Sequence, residues 1–323
     1  MAGKAFDVFN MGIIVVDFPI RIPTETLDFS LDMMRVPAPE VMPGGDAANS
    51  SLVLSKLGRS VALCGVVGGD EFGQVVLSRI AEGGVDTSQV RAASALRTVM
   101  SVVMINRNGD RCFLVSGESS EAFGSEDINE AVLAQCRHLN FSSFFAHPKM
   151  DAGGAAQVFR KAKEMGLSTS ADTVFDEQGL GLSGIGPALE YVDYFLPSYG
   201  EAAMLTGEKS PERIADALIR RTGEKTVVIK LGGEGCFVQG RGERFYSDPF
   251  VATPVDTTGA GDNFVAGFLC GLLEGMELRE CARLASATAA ISIGSVGATA
   301  AQFTRADVTE WMRTAKVRSL GRS

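Results

Sequence analysis

Along most of this chain, apolar runs of strand length alternate with longer stretches whose apolar residues recur at helical spacing. "DVFNMGIIVV" reads as a strand and "DAANSSLVLSKLG" as a helix ending at Gly58. "SVALCGVVG" is a strand again, and "DEFGQVVLSRIAEGG" a helix stopped by Gly83 and Gly84. The alternation continues through "HLNFSSFF" (strand), "GGAAQVFRKAKEMG" (helix), "LSTSADT" (strand), "YVDYFLPS" (strand) and "GEAAMLTG" (helix). "KTVVIKLGGEGCFV" predicts a strand turning into a second strand, and "GDNFVAGFLCGLLEGM" and "LRECARLASATAAISIG" two closing helices. This order specifies an α/β protein with a mostly parallel central sheet covered by helices on both faces.

Two stretches break the alternation. Residues 18–41 are Pro-bounded and alternate polar with apolar, and residues 95–118 read as two strands around "NRNGD", with Asn108-Gly109 as the hairpin signal. Both emerge near glycine-rich motifs, so they predict a small antiparallel sheet standing off the main one rather than surface decoration. The main α/β domain then takes 1–17, 42–94 and 119–314, and 315–323 is a C-terminal tail.

With 46% hydrophobic and 21% charged residues over 323 positions, there is ample material for a core, which excludes disordered and fibrous classes. The formal charge of −9 argues against nucleic acid or an anionic membrane as partner, though not against small anions held in a local site. Six cysteines occur without a CxxC pair, and only two histidines, His138 and His147, are present. A zinc site is not expected; the cysteines read as small buried apolar residues in a reducing cytosol. The N-terminal apolar run is broken by Asp17, and no run approaches the roughly 20 residues of a membrane span. The expected location is cytoplasmic.

Chemistry concentrates in two glycine turns that open helices. In "VDTTGAGDNF", Gly259 and Gly261 let the backbone turn sharply against a ligand, and the helix that follows leaves its first amides unpaired. Those amides form an anion site suited to a phosphoryl group. Asp262 in that position is either a helix cap or a reacting carboxylate. In "PGGDAANSSLVLSKLG", Gly44-Gly45 again precedes a helix, with Asn49 offering a donor and an acceptor in its first turn. In a parallel sheet both turns fall at the carboxyl ends of the strands, where ligands bind.

These stretches resemble the signatures of the ribokinase-like, or PfkB-type, carbohydrate kinases. "DTTGAGDNFVAGF" is similar to their C-terminal motif, and "GGDAANSSLVLSKLG", "CGVVGGDEFG" and "LSRIAEGGVDTSQV" to their N-terminal one, so the likeness covers Asp7 to about Asp307. It implies the ribokinase-like three-layer fold, ATP as co-substrate, Mg²⁺, and a sugar hydroxyl as phosphoryl acceptor. Asp262 would be the base and Gly259, Ala260 and Gly261 the anion hole. Asp17, five residues after Gly12, would hold sugar hydroxyls, with Gly44, Gly45, Asp46 and Asn49 lining the pocket. Segments 18–41 and 95–118 would be the family's β-lid, through which a homodimer can form.

On the nucleotide side the resemblance implies Lys230, Gly232 and Gly235 of "KLGGEG" along the phosphates and ribose, and "AAISIGSVGA" with Gly297 beside the adenine. In "PSYGEAAMLTG", Glu201 would help hold Mg²⁺ through water, while Ser198 stands where the family usually has asparagine. Many relatives bind a monovalent cation, here matched by Asp256, the carbonyls of Thr258, Ser292, Ser295 and Gly297, and the site of Ala301; alanine lacks the hydroxyl often found there, which leaves K⁺ activation open. Asp46 and Val15 depart from the ribokinase pattern, and an acidic Asp46 favours a neutral sugar or polyol over a sugar acid or phosphate. A nucleoside kinase, stacking on Phe18, Phe29 or Phe113, is the alternative within the superfamily. A non-catalytic sugar-binding regulator is the alternative outside it. Asp172 and Asp176 are left open as ligand contacts; His147 and Lys149 read as loop residues.

Overall fold

The computed structural model describes residues 4–108, 111–222 and 225–322. In chain order the first elements are β1 (Phe6–Met11), β2 (Val15–Arg21), β3 (Met42–Gly44), α1 (Asp46–Lys56), β4 (Val61–Gly68), α2 (Glu71–Glu82), β5 (Asp86–Ala93), β6 (Met100–Ile105) and β7 (Arg111–Ser116). There follow α3 (Glu130–Leu133), β8 (Cys136–Phe144), α4 (Ala155–Glu164), β9 (Ser168–Thr173), α5 (Gly181–Leu189), β10 (Tyr194–Phe195), α6 (Tyr199–Thr206) and α7 (Pro211–Thr222). The last are β11 (Thr226–Lys230), β12 (Cys236–Gly240), β13 (Glu243–Ser247), α8 (Ala260–Leu273), α9 (Leu278–Ser292) and α10 (Arg305–Thr314).

The main sheet runs β13-β12-β11-β10-β9-β8-β1-β4-β5. It is parallel except where β12 pairs with β11 and β13. Its central strands are apolar at nearly every position because both faces are covered: all of β4, "VALCGVVG", is buried. Val61, Leu63 and Val67 point into a core shared with α1, α2, α8 and α9, while Ala62, Cys64 and Val66 point into the other, shared with α4, α5 and α7. The three-layer α/β architecture expected from the alternation is the one observed.

Two local expectations change. The single strand read in "DVFNMGIIVV" is two strands in different sheets, broken at Gly12. Gly12 has φ 145°, and a Cβ there would lie 2.8 Å from Ser143 Oγ, so no other residue turns the chain at this point without displacing β8. The small sheet runs β3-β2-β6-β7, with β2–β3 and β6–β7 antiparallel but β2–β6 parallel, so it is mixed. It takes in residues on both sides of the expected 18–41 segment, since β2 starts at Val15 and β3 ends at Gly44. Gly109 of the hairpin signal lies outside the described residues.

Beneath the helix layer sits a buried polar cluster. Asn10 Nδ2 on β1 lies 2.9 Å from the Ala47 carbonyl and within 2.9 Å of the Ser50 and Ser51 hydroxyls on α1. Its Oδ1 accepts from Asn140 Nδ2 at 2.8 Å and Ser142 Oγ at 3.1 Å on β8. One amide thus ties a helix to two strands with every polar atom used. Replacing Asn10 with alanine strands these partners without water, and should lower stability by about 2–4 kcal/mol. Urea unfolding with tryptophan fluorescence measures the loss; an unchanged midpoint would show that the cluster holds nothing in place.

Candidate active site

A cavity of about 700 Å³ opens where β9 and β11 end and α8 begins. That is the position an open parallel sheet reserves for ligands. Asp46, Asp172, Glu201, Lys230 and Asp262 line its polar part, and Pro249, Phe250, Ala289, Ala290 and Ile293 its apolar part. Gly259, Ala260, Gly261, Ser198, Gly232 and Gly235 also line it.

Asp262 does not cap the helix. Gly259, in the left-handed region at φ 70°, is the first residue of the turn, and Asp262 stands within the first turn of α8. Its Oδ2 accepts from Asn49 Nδ2 at 2.8 Å, which joins the two glycine-led helices directly. Loss of surrounding water pushes the carboxyl up to about 6, against the Asn49 hydrogen bond and nearby Lys230. A helix start acting alone would depress it; here desolvation wins. Of the turn's amides, that of Ala260 closes back on the Thr257 carbonyl at 3.3 Å. Those of Gly259, Gly261 and Asp262 have no partner among the described residues. A Cβ on Gly261 would meet only Lys230 Nζ, at 3.6 Å.

Carboxyls outnumber cations in this space. Lys230 Nζ pairs with Asp172 Oδ2; burial alone would lower the ammonium's pKa, but Asp172 and Glu201 raise it above its ordinary value. Asp172 is nevertheless pushed up to about 7, because burial and Glu201 outweigh Lys230. Asp46 is raised well above the usual range by burial, then by Asp262 and Asp172. Glu201 is held in place by its own helix start: Ser198 N donates to its Oε2 at 2.8 Å, Thr173 Oγ1 at 3.0 Å, and Ser198 Oγ accepts the Glu201 amide at 3.4 Å. Ser198, where a longer asparagine is usual, therefore serves α6 as its N-cap.

Asp17 rides on β2 opposite Met42, and its carboxyl sits over Gly44: a Cβ there would fall 2.2 Å from Oδ2. Gly44 and Gly45 thus seat Asp17 and Ile13 rather than line the main cavity. Burial, with Asp262 nearby, pushes Asp17 up to about 7. Two buried acceptors or donors at this end lack partners among the described residues, Asn49 Oδ1 and Ser101 Oγ. Ser101 lies opposite Asp17 in the β2–β6 pairing and carried no motif to announce it. Asp172, left open by sequence, lines the cavity; Asp176 instead accepts the Leu180 and Gly181 amides at 3.1 and 2.7 Å. His147 is buried against the Ser120 carbonyl and Lys149 pairs with exposed Glu126, both away from the cavity.

The pfkB family carbohydrate kinase model matches residues 10–305. The chain belongs to the pfkB carbohydrate kinase family. It is 32% identical over 246 residues to an uncharacterized sugar kinase of Archaeoglobus fulgidus, covering 76% of this chain and 96% of that one. Ribokinase of Haemophilus influenzae is 29% identical, over 83% and 87% of the two chains. Among solved structures, Arabidopsis thaliana ribokinase complexed with ribose and ATP superposes with TM-score 0.81 at 24% identity, covering 96% and 99% of the chains. An Escherichia coli protein provisionally named ribokinase II, solved with ATP and Mg²⁺, gives 0.80 at 22%, covering 95% and 99%. The protein is thus a sugar kinase, a phosphotransferase with an alcohol acceptor.

The family's ions can be tried against this pfkB chain. No set of three or more His, Cys, Asp or Glu residues is gathered tightly enough to cage a metal among the described residues. Mg²⁺ keeps most of its waters and takes one or two carboxylates plus phosphate oxygens, so Glu201 facing the cavity suits it. Protein groups already engage part of the monovalent set. Gly297 lines a separate small cavity with Asp17, Asp256 and Thr258, and its amide donates to Asp256 Oδ2 at 2.8 Å. Ser292 Oγ is turned to the Ala289 carbonyl, and the Ser292 carbonyl accepts the Ser295 amide. No helix among the described residues is long and apolar enough to cross a membrane.

The raised carboxyls have a thermodynamic signature. Asp17 moves from 3.8 to about 7 on folding, so the folded state holds its proton more tightly. The stability this brings is complete below the unfolded pKa and is lost as pH rises through about 7. Asp17→Asn should therefore be more stable than the parent at pH 8 by roughly 1–3 kcal/mol. The difference should narrow as pH falls toward 4. Urea midpoints across that range decide it; a gap independent of pH would remove the charge argument.

Proposed function

We propose that this sugar kinase transfers the γ-phosphoryl group of ATP to a hydroxyl of a neutral sugar or related polyol, with Asp262 as the base. The observation that carries this reading is the Asn49–Asp262 pair, 2.8 Å apart, at the head of the turn with unpaired amides. Asp262 accepts the hydroxyl's proton. In a loose transition state that proton leaves late, so placement counts for more than basicity, and a carboxyl near 6 is ionised at neutral pH. The turn's amides receive the charge gathering on the transferred group. Asp17, Asn49 Oδ1 and Ser101 Oγ bind the sugar hydroxyls. Lys230, Gly232, Gly235 and Ser198 run beside the phosphates, and Ala289, Ala290 and Ile293 flank the adenine. Glu201 would hold Mg²⁺, which would supply charge neutralisation at the phosphates.

Charge supports a neutral acceptor. Asp46, Asp172 and Asp262 are each driven upward mainly by burial, with carboxylate neighbours adding to it, and Lys230 is the ammonium beside them. A sugar acid or sugar phosphate would add an anion to a space already short of cations. Stacking of a nucleoside finds less support: Phe18 is packed edge-on against Phe72 at 5.5 Å, and Phe29 is 94% exposed.

Asp262→Asn should lower kcat by roughly 10²–10⁴-fold while calorimetry shows sugar and ATP still bound. In the parent enzyme, kcat/KM should fall with decreasing pH below about 6 as the carboxylate takes up a proton. Loss of both affinities in the variant would reduce Asp262 to a structural residue. An ADP-release screen over pentoses, hexoses, polyols, sugar acids and nucleosides identifies the acceptor; turnover of acids or nucleosides above neutral sugars would reject the assignment.

The exposed Leu31, Met33 and Leu114, together with Phe29, support pairing of lids in a homodimer. Sedimentation equilibrium should give twice the chain mass, and Leu114→Glu should return it to one; a monomeric parent would dismiss this.

A further inference from the structure

Arg111, the first residue of β7, projects from the lid onto the main domain. Its Nη1 donates to Thr258 Oγ1 at 2.7 Å and to Asp256 Oδ1 at 3.3 Å, and its Nη2 donates to Thr257 Oγ1. These are the residues immediately before Gly259, so a guanidinium from the lid grips the loop that leads into the anion turn. Asp256 is buried and otherwise surrounded by donors: the Thr258 amide at 2.9 Å, the Thr258 hydroxyl at 2.7 Å and the Gly297 amide at 2.8 Å. Burial pushes this carboxyl up, but the donors and Arg111 more than offset it and hold it below its usual range.

The loop on the other side of Asp256 is served by a second protein cation. Lys56, in the last turn of α1, donates to the Ala301 carbonyl at 2.8 Å and also to the Thr299 carbonyl. Positions 256–258 and 299–301 are therefore neutralised by side chains of the chain itself. One carboxylate faces one guanidinium, and a dissociable cation would have to compete with both.

We propose that Arg111 is a positioning residue that supplies, from the lid, the positive charge at Asp256 that relatives take from a monovalent cation. Lid closure and ordering of the anion turn are then one event, and turnover is independent of K⁺. This rests on the kinase reading above. The guanidinium need not touch ATP; it acts through Asp256, Thr257 and Thr258 on the amides that follow.

The test compares the parent enzyme, Arg111→Ala and Arg111→Lys in KCl and in tetramethylammonium chloride at equal ionic strength. The parent should show the same kcat and the same melting temperature in both salts. Arg111→Ala should lose roughly 10–100-fold in kcat in tetramethylammonium, with a smaller change in sugar KM. Added K⁺ or guanidinium should restore part of that loss, and K⁺ should raise the variant's melting temperature, since only a bound ion stabilises the fold. Arg111→Lys should fall between and stay insensitive to K⁺. A parent enzyme activated and stabilised by K⁺, an Arg111→Ala variant with unchanged kcat, or a loss that neither cation repairs would each overturn the proposal. The melting arm needs no turnover, so it decides the role of Arg111 even if the parent phosphorylates none of the acceptors tried.

Discussion

The geometry of the active site depends on a single buried amide. Asn10 on the central strand β1 holds α1 by its Ala47 carbonyl and its Ser50 and Ser51 hydroxyls, and holds β8 through Asn140 and Ser142. A helix laid on a sheet by apolar contacts alone can slide by a side chain's width; a directional polar contact in a low-dielectric core fixes its register. With α1 so fixed, Asn49 meets Asp262 at 2.8 Å, and α8 is aligned in turn. The chain of constraint runs from the centre of the sheet to Asp262 in two hydrogen-bonded steps, β1 to α1 and α1 to α8.

The cavity built on this frame is electrostatically costly in the absence of ligands. Asp17, Asp46, Asp172 and Asp262 all hold their protons more tightly than free carboxyls do, chiefly because burial removes water. Such a site is destabilising for the fold and favourable for chemistry on the proposed reading, in which hydroxyls and a metal–nucleotide complex would bring the donors and positive charge it lacks. The rest of the molecule compensates with two separate apolar cores, one on each face of the sheet.

Much of this was legible in the chain. Strand and helix runs, both glycine turns, and the cavity positions of Asp262, Asp46, Lys230, Glu201, Gly232 and Gly235 follow from local pattern and motif. What escaped is of two kinds. Helix α5, "GLSGIGPAL", carries glycines and Pro187, poor helix formers, and is held by burial of Leu182, Ile185 and Leu189; the strand read in "YVDYFLPS" is present but shrinks to two residues, β10. The other misses are long-range. Arg111 and Asp256 are 145 positions apart, and Asp172 and Lys230 58. Neither pair leaves a periodic trace, and Ser101 reads simply as one more strand residue. The break at Gly12 was hidden because apolar residues continue on both sides of it.

That break has a mechanical consequence. Only Gly12, Ile13 and Ile14 separate the strand anchored in the central sheet from the strand that carries Asp17. On the proposed reading, the carboxyl that would grip the sugar therefore belongs to the small sheet, the proposed cover, not to the main sheet. Whatever sugar hydroxyls contribute to binding would then be delivered to that cover, which is joined to the central strand by three residues starting at Gly12. An acceptor missing the hydroxyls that Asp17 reaches would leave the cover ajar, so its handicap would surface as slow turnover and wasted ATP more than as weak affinity.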